Sequence, residues 1–377
     1  MSRGRPLPPV GAHAPAPAPG ATMRTVYIHG ERDVRVTEVP DPELLSGPEA
    51  TGRDAVVRVV AACVCGSDLW GYRGVRATDE PHGIGHEFVG VVEEVGGAVQ
   101  TIKVGDFVIA PFYICDGTCV NCRNGWTVHC LNGGFWGRPI DGEGPSDAAQ
   151  SDRVRVPLAD GTLFAVPGGQ PSDDLIPGLL TLSDVMGTGH HAALSAGVRE
   201  GSTVAVVGDG AVGLCAVIAA KRLGATRIVA MSRHADRQEL ARTFGATDIV
   251  AERGDEGIAK LKEMFDGVGP DIVLECVGTK ESMDQALRSA RPGGQVGFVG
   301  VPAGGPELPV GTMFGTNVGV RGGVATVRDY IEELLPEVLD GTIKPGLVFT
   351  AEMPLSEAAA AYAAMDERRA VKVLLRP

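Results

Sequence analysis

The pattern of hydrophobic positions changes character near residue 185. Before that point, short valine-rich runs are separated by Gly, Pro and Asp, as in Ala55–Cys63, Glu87–Val95 and Asp106–Pro111. Short apolar runs bounded by turn-forming residues are typical of β-strands. The pattern therefore predicts a region of short, twisted strands that begins at Met23 and extends to about residue 184.

From residue 185 to about 325, apolar strands alternate with helical patterns. This alternation predicts a parallel sheet covered by helices on both faces. The predicted strands are Ser202–Val207, Arg227–Met231, Asp248–Val250, Asp271–Cys276 and Gln295–Val299. One predicted helix follows the glycine motif and ends at about Leu223. The others span Ala235–Phe244 and Lys280–Ala290. Beyond residue 326, two helical segments and a terminal strand, Val371–Leu375, should return to the first region.

Charge and composition narrow the classes of function. The chain has 377 residues and a formal net charge of −13, which excludes a general attraction for nucleic acid or anionic membranes. No apolar run reaches the ~18 to 20 residues that span a bilayer. The Pro- and Ala-rich residues 1–22 lack the apolar segment of an export signal. We expect a cytoplasmic protein with a disordered tail over residues 1–22, unless translation begins at Met23.

A glycine motif lies between the first predicted strand of the parallel sheet and its helix. Gly208 permits a tight turn, Gly210 lets the backbone approach a pyrophosphate, and Gly213 lets helix and strand pack closely. Ala211 and Val212 open the helix, whose free N–H groups and positive dipole end attract an anion. The motif predicts dinucleotide binding; a turn without a ligand is the alternative.

The end of the second strand indicates which dinucleotide is preferred. NAD enzymes usually carry an acidic residue there for the ribose 2′-hydroxyl, whereas NADP enzymes carry small or basic residues. Here Ser232 and Arg233 occupy the turn, and Arg233 offers a charged fork to a 2′-phosphate. NADP(H) is therefore favoured over NAD(H). The alternatives are that Arg233 is a solvated arginine or stacks on the adenine.

Half of the chain's cysteines lie in one short segment. Four thiolates on a glycine-bent loop fit a closed, tetrahedral and therefore structural zinc site. Disulfides are the alternative, which a cytoplasmic location disfavours. The four residues are Cys115, Cys119, Cys122 and Cys130.

A second set of metal-ligating residues is scattered along the chain. Cys65 stands in Cys-Gly-Ser-Asp, His86 and Glu87 in Gly-His-Glu-Phe, and Asp184 in Ser-Asp-Val-Met. Composition alone does not join these segments. Each residue taken singly is explained as well by packing or by an ordinary hydrogen bond.

The order of these motifs resembles that of the medium-chain zinc-dependent alcohol dehydrogenase family, over nearly all of the chain from Met23 onward. The shared pieces are Cys-Gly-Ser-Asp at 65–68, Gly-His-Glu at 85–87, the cysteine segment at 115–130, Asp184, the glycine motif and Val-Gly-Val-Pro at 299–302. The resemblance implies an α/β protein. Its GroES-like, β-rich catalytic domain would span residues 23–184, completed by residues 326–377. Its Rossmann domain, with a doubly wound parallel sheet, would span residues 185–325.

The resemblance also implies a reaction and a metal site. Hydride would pass between a small alcohol or carbonyl compound and a nicotinamide cofactor. Cys65, His86 and Asp184 would bind a catalytic zinc, with Glu87 as an exchangeable fourth ligand as in bacterial relatives. With the cysteine segment, this gives two zinc ions per chain. Family members are homodimers or homotetramers joined through the Rossmann domain.

Further roles follow from position in the family pattern. Ser67 would be the first proton-relay group, or cap the helix that begins there. Asp68 would hold His86, and Thr188 would pack against the nicotinamide. Backbone groups for the nicotinamide carboxamide would come from Val299, Gly300 and Val301. Lys372 would reach the pyrophosphate, with a solvated lysine as the alternative.

Three positions depart from the family pattern. By strict spacing Asp116 takes the place of the first structural ligand, and we favour Cys115 because thiolate is the softer ligand. Trp70 stands where many members carry a proton-transferring His, so the proton would leave through Ser67 and water. Glu252 stands where an NADP-dependent relative can place a Tyr near the adenosine phosphate, and a carboxylate there opposes the NADP preference.

Two other functions are compatible with the same scaffold. One is a formaldehyde-type or sugar-alcohol dehydrogenase of a biosynthetic pathway. The other is a zinc-bearing, NADPH-binding sensor without turnover, against which the retention of all four catalytic-site ligands argues. The substrate itself does not follow from the sequence.

Overall fold

The computed structural model describes residues 20–48, 50–76, 80–144, 146–302 and 308–377. Most of the predicted disordered tail, residues 1–19, lies outside the described residues. Its last residue, Thr22, already begins the first strand.

The first region consists mainly of short strands, as the valine-rich pattern predicts. The strands are β1 (Thr22–Gly30), β2 (Asp33–Pro40), β3 (Ala55–Val64), β4 (His82–Gly83), β5 (Phe88–Val95), β6 (Phe107–Ala110), β7 (Tyr113–Ile114), β8 (Gly134–Phe135), β9 (Arg153–Val156) and β10 (Phe164–Ala165). The helices are α1 (Asp68–Tyr72), α2 (Val120–Arg123), α3 (Ala159–Thr162) and α4 (Ile176–Thr181), with a 3₁₀ turn at Thr127–His129.

The rest of the chain contains the alternating elements and then returns to the first region. In order these are α5 (Val185–Ser195), β11 (Thr203–Val207), α6 (Ala211–Arg222), β12 (Arg227–Met231), α7 (Ala235–Phe244), β13 (Asp248–Val250), α8 (Gly254–Glu263), β14 (Ile272–Glu275), α9 (Lys280–Ser289), β15 (Gln295–Phe298), α10 (Val310–Thr316) and β16 (Gly319–Gly322). The last elements are α11 (Val327–Leu339), β17 (Phe349–Pro354), α12 (Ala358–Asp366) and β18 (Lys372–Arg376), with 3₁₀ turns at Pro345–Val348 and Leu355–Glu357.

Strands β11 to β16 form one parallel sheet of six strands in the order β13-β12-β11-β14-β15-β16. The order reverses beside β11, and the turn that carries the glycine motif follows that strand. In an open parallel sheet, ligands bind at the carboxyl ends of the strands at such a reversal. The α/β prediction is confirmed, and the predicted cofactor turn lies at this reversal.

The first region contains a mixed sheet in the order β10-β6-β5-β3-β18-β17, and β9 also pairs with β3. Strand β3 is almost wholly buried, which explains why it is a continuous apolar run rather than an alternating one. The C-terminal strand β18 pairs antiparallel with β3. The end of the chain therefore completes the sheet that carries Cys65 and Glu87.

Among the helices that the structure describes, none combines the length and the apolar character that a membrane crossing requires.

Candidate active site and cofactor cleft

The four scattered ligands meet at one point. The ligand atoms of Cys65, His86, Glu87 and Asp184 all lie within 4.8 Å of one another. Asp184 Oδ2 is 3.6 Å from both Cys65 Sγ and His86 Nε2, and His86 Nε2 is 3.8 Å from Glu87 Oε1. Such spacings are those of ligands arranged around one zinc ion with bonds of about 2.0 to 2.3 Å.

Three separate elements deliver these side chains. Cys65 directly follows β3, and Glu87 directly precedes β5, its neighbour in the sheet. Asp184 precedes the first turn of α5, where the positive end of the helix dipole favours a carboxylate. Thr188, one turn further along α5, donates a hydrogen bond from Oγ1 to Asp184 Oδ1 at 2.7 Å.

The donor set fits a metal ion on its own chemistry. Thiolate, imidazole and carboxylate are the ligands that zinc accepts. Glu87 Oε2 is buried without a hydrogen-bond partner, which is costly unless a cation satisfies it. Burial alone would lower the pKa of His86, but Asp68, Cys65 and Asp184 outweigh it and raise that pKa well above its ordinary value. The surroundings thus favour a positive charge at the point where zinc would lie.

Lys372 is a buried lysine that lies beside the candidate metal ligands. Its Nζ lies 2.7 Å from Glu87 Oε1 and 3.3 Å from the Val64 carbonyl, and the residue is only 1% exposed. The alternative of a solvated lysine is therefore wrong, and the contact with a pyrophosphate stays a prediction. Because β18 pairs with β3, this lysine lies beside the candidate metal ligands and forms an ion pair with Glu87.

Asp68 links the backbone of one ligand to the side chain of another. Its Oδ1 lies 3.3 Å from His86 Nδ1, and its Oδ2 accepts a hydrogen bond from Cys65 N at 2.9 Å. With Nδ1 engaged, Nε2 is the nitrogen left for a metal. Ser67 occupies the N-cap position of α1 without a side-chain capping bond, so its hydroxyl is not used to cap the helix.

An aromatic wall lies beside His86. The ring of Phe112 meets His86 edge-on with centroids 6.5 Å apart, and it stacks with Phe135 at 6.5 Å. Phe112 N bonds to the Ser183 carbonyl at 3.0 Å, which fixes this ring next to Asp184. Sequence reasoning missed Phe112, because nothing in its local pattern distinguishes it from a core residue.

The second metal cluster differs from the predicted one by a single residue. Ligand atoms of Asp116, Cys119, Cys122 and Cys130 lie within 4.8 Å of one another. Cys119 Sγ lies 3.5 Å from Cys122 Sγ and 3.9 Å from Cys130 Sγ. All eight cysteines of the chain are free. The segment therefore offers a site of three sulfurs and one carboxylate.

Cys115 lies next to this cluster but is engaged by a hydrogen bond of its own. Its Sγ donates to the Gly161 carbonyl at 3.2 Å, whereas the ligand atoms that lie within 4.8 Å of one another are those of Asp116, Cys119, Cys122 and Cys130. Burial would raise the pKa of Asp116, but hydrogen bonds from Cys119 N and Asn132 Nδ2 outweigh it and lower that pKa. The geometry therefore favours Asp116 over the predicted Cys115, and the identity of this fourth ligand stays a prediction.

The glycine turn has the geometry that each glycine requires. Gly208 adopts a φ of 117°, a backbone angle that residues other than glycine rarely adopt. A Cβ on Gly213 would lie 2.0 Å from the Gly208 carbonyl oxygen, whereas one on Gly210 would meet no protein atom within 4 Å. Helix α6 begins at the next residue, Ala211, followed by Val212. Protein contacts explain the first and third glycines, and an approaching ligand explains the second.

A carboxylate that sequence reasoning overlooked lies beside the end of the second strand of the parallel sheet. Ser232 Oγ donates to Asp209 Oδ2 at 2.7 Å, and Arg237 Nη1 donates to Asp209 Oδ1 at 3.3 Å. Asp209 is an unspecified position of the glycine motif, so the local sequence gives no signal that its carboxylate lies beside Ser232. Arg233, the residue after Ser232, is exposed. Lys260 Nζ donates a hydrogen bond to Glu252 Oε1 at 2.5 Å.

Further arginines gather at the same end. The pKa of Arg253 is lowered by burial and by the nearby positive charges of Arg233, Arg368 and Arg237, against the opposing effect of Asp209. Four guanidinium groups therefore lie near one another and near Asp209 at this end of the sheet.

The loop after β15 borders the same cleft. Val299 N and Gly300 N bond to the Glu275 carbonyl at 3.0 and 3.3 Å, and Val301 is 39% exposed. These residues follow the carboxyl end of β15, the sheet edge at which a dinucleotide binds.

Comparisons with known proteins agree with this architecture. The model of the alcohol dehydrogenase GroES-like domain matches residues 51–168, and that of the zinc-binding dehydrogenases matches residues 211–340. A probable zinc-binding alcohol dehydrogenase of Mycobacterium tuberculosis is 38% identical over 94% of this chain and 89% of its own length. The match confirms the GroES-like and Rossmann prediction.

Two solved structures extend the comparison. The alcohol dehydrogenase TADH of Thermus sp. ATN1 is 35% identical, with a TM-score of 0.83 over 94% of this chain and 99% of its own. A zinc-binding dehydrogenase of Sinorhizobium meliloti, solved with bound NADP, is 29% identical, with a TM-score of 0.77 over 95% of this chain and 100% of its own. The chain belongs to the medium-chain zinc-dependent alcohol dehydrogenase family and is a zinc-dependent oxidoreductase of alcohols.

Proposed function

We propose that the chain carries two zinc ions and oxidises small alcohols, or reduces the corresponding carbonyl compounds, with NADP(H). The observation that carries the proposal is the convergence of Cys65, His86, Glu87 and Asp184 within 4.8 Å, beside an unpartnered Glu87 oxygen. A zinc ion held there supplies Lewis-acid polarisation of the substrate oxygen. The ion in the cysteine segment is structural, because its four ligands leave no open position.

The residues around the catalytic cluster orient its ligands and move a proton. Asp68 holds His86 so that Nε2 faces the cluster, and Thr188 fixes the Asp184 carboxylate. Ser67, adjacent in sequence to Asp68 and free of a capping role, accepts the alcohol proton while it donates its own hydroxyl proton onward. From Ser67 the proton passes to water. Phe112 and Phe135 form the apolar wall against which the substrate's carbon skeleton packs.

Preference for NADP(H) rests on the charge at the adenosine end of the cleft. Arg237 engages the carboxylate of Asp209, and Lys260 engages that of Glu252. The exposed guanidinium of Arg233 is then available for a 2′-phosphate. The relative solved with NADP has the same overall fold.

The Arg233→Ala variant tests the cofactor proposal. Its kcat/KM with NADP should fall about ten- to a hundredfold, because a charge-assisted hydrogen bond contributes about 1.5–3 kcal/mol. Its kcat/KM with NAD should change little. Initial rates over a panel of primary and secondary alcohols, followed at the absorbance of the reduced cofactor, measure both. A wild-type preference for NAD, or equal losses with the two cofactors, would contradict the assignment.

We further propose that the chain is a homodimer or homotetramer joined through its parallel sheet. Strand β16 is an edge of that sheet, and helix α10 before it has no buried residue. On α10, Phe314 is 87% exposed and Val310 is 70% exposed. An edge that pairs with no further strand among the described residues, next to apolar side chains, favours pairing with another chain. The cytoplasmic location expected from the sequence stays a prediction.

A charge on this face should separate the subunits. The Phe314→Glu variant is expected to sediment as a monomer at concentrations where the wild type is a dimer or tetramer. Val268→Glu is the matched control, because Val268 is an exposed valine elsewhere on the same domain. Analytical ultracentrifugation decides the matter, and an unchanged assembly of Phe314→Glu would contradict this interface.

A further inference from the structure

A buried chain of hydrogen bonds extends from the catalytic cluster to the C-terminal helix. Tyr362 Oη, on α12, donates to Gln150 Oε1 at 3.0 Å. Gln150 Nε2 in turn donates to Asp68 Oδ2 at 3.2 Å and to the Cys63 carbonyl at 3.0 Å. Asp68 Oδ1 lies 3.3 Å from His86 Nδ1. Two residues outside the family motifs, Gln150 and Tyr362, are thus linked by hydrogen bonds to Asp68, the partner of the candidate ligand His86.

The hydrogen bonds run in one direction, because the Gln150 amide has a fixed donor and a fixed acceptor. An amide has one accepting oxygen and one donating nitrogen. Tyr362 donates to the oxygen of Gln150, which leaves the nitrogen to face the Asp68 carboxylate. A reversed amide would set its oxygen against that carboxylate. Gln150 and Tyr362 are both 0% exposed, so water does not compete for these bonds.

Gln150 is also fixed to the loop that carries His86. Gln150 N bonds to the Ile84 carbonyl at 3.3 Å, and Ala149 N bonds to the Gly85 carbonyl at 3.0 Å. A Cβ on Gly85 would lie 2.5 Å from Gln150 Cγ. The glutamine therefore contacts the ligand loop through its backbone and Asp68 through its side chain.

We propose that Gln150 and Tyr362 are positioning residues of the catalytic zinc site. Together they hold the Asp68 carboxylate, and Asp68 holds the imidazole of His86 in the orientation that presents Nε2. Helix α12 thereby helps to set the geometry of a metal site whose ligands lie far from it in the sequence. The inference rests on the proposed zinc site and adds to it two residues that touch neither metal nor substrate.

Loss of these bonds should weaken the metal site. Partners that orient a metal-ligating His typically change metal affinity by about 10–100-fold when they are removed. We expect Gln150→Met, which keeps the length of the side chain but removes the amide, to fall in that range. Tyr362→Phe removes a single hydroxyl and should speed metal release by about three- to tenfold.

The control variant is Tyr72→Phe. The Tyr72 ring lies 5.5 Å from that of Tyr362 in the same apolar cluster, and Tyr72 stands outside the hydrogen-bond chain. The test loads the full-length protein with Co²⁺ and measures its release to a chelator, together with the visible absorption of the bound ion. The cluster of the cysteine segment serves as an internal reference in every variant.

The proposal predicts faster Co²⁺ release and an altered absorption band at the catalytic cluster in Tyr362→Phe and Gln150→Met, with the reference cluster and Tyr72→Phe unchanged. Release rates and spectra identical to those of the wild type would overturn it. If Gln150→Met fails to fold, Tyr362→Phe alone decides, since it removes one oxygen atom. A wild type that binds no Co²⁺ at Cys65 and His86 would instead refute the proposed zinc site.

Discussion

The His86→Ala variant is expected to contain one zinc ion per chain instead of two and to lose at least about a thousandfold in kcat, the scale of losing a major electrostatic contact to the transition state. When bound to zinc, the imidazole is the neutral ligand among three acidic groups, and its Nε2 lies within 3.8 Å of the carboxylates of Glu87 and Asp184. Without it, Cys65, Glu87 and Asp184 repel one another around an incomplete site. Zinc content by elemental mass spectrometry and the rate of alcohol oxidation measure the two effects.

Ser67→Ala is the matched control for this prediction. It leaves all four ligands in place, so both zinc ions should stay bound. The hydride step should slow and its pH profile should change, because the first acceptor of the alcohol proton is gone. An unchanged pH profile would remove Ser67 from the mechanism, whereas a fully active, zinc-depleted His86→Ala would contradict the catalytic site itself.

The Gly213→Ala variant is expected to lose cofactor binding by at least about a hundredfold. Its new Cβ would lie 2.0 Å from the carbonyl oxygen of Gly208, so that the turn and the first residues of α6 must move apart. Overpacking of this kind also destabilises a protein by about 1–3 kcal/mol. Fluorescence titration with NADPH and thermal unfolding measure the two consequences.

Gly210→Ala separates ligand contact from protein strain. Its Cβ would meet no protein atom within 4 Å, and the residue has an ordinary φ of −78°. The variant should therefore unfold at the wild-type temperature and yet bind NADPH at least about tenfold more weakly, because the methyl group stands where the pyrophosphate approaches. Wild-type affinity in Gly210→Ala would show that the turn does not hold the cofactor.

The sequence predicted the fold best where apolar residues follow one clear period. Strands Arg227–Met231 and Asp248–Val250 and helix Ala235–Phe244 have the predicted bounds. Helix α8 was not predicted, because only Gly257, Ile258 and Leu261 of it are buried. Such a narrow stripe in a charged segment gives little signal of a helix.

The sequence predicts the candidate metal ligands but not the side chains that form ion pairs or hydrogen bonds beside them. A cysteine, a histidine and an aspartate in a known order are visible in the sequence. The pair of Lys372 with Glu87, 285 positions apart, depends on the pairing of β18 with β3. The pair of Asp209 with Ser232 likewise depends on two adjacent parallel strands, since one follows β11 and the other follows β12. Local sequence carries no signal of either contact.

The geometry favours Asp116 over the predicted Cys115 for a related reason. Softness of the donor favours sulfur, but the chain turns the Cys115 side chain toward the Gly161 carbonyl. Spacing, which sets the direction in which each side chain leaves the loop, was the better guide than ligand chemistry.

Anomalous diffraction at the zinc edge, from crystals grown with zinc and NADP, tests the central claim most directly. The account predicts one ion at about 2.0 to 2.3 Å from Cys65 Sγ, His86 Nε2 and an Asp184 oxygen, and a second ion among Asp116, Cys119, Cys122 and Cys130. Anomalous density at the second position alone, with Cys65 and His86 engaged elsewhere, would contradict it.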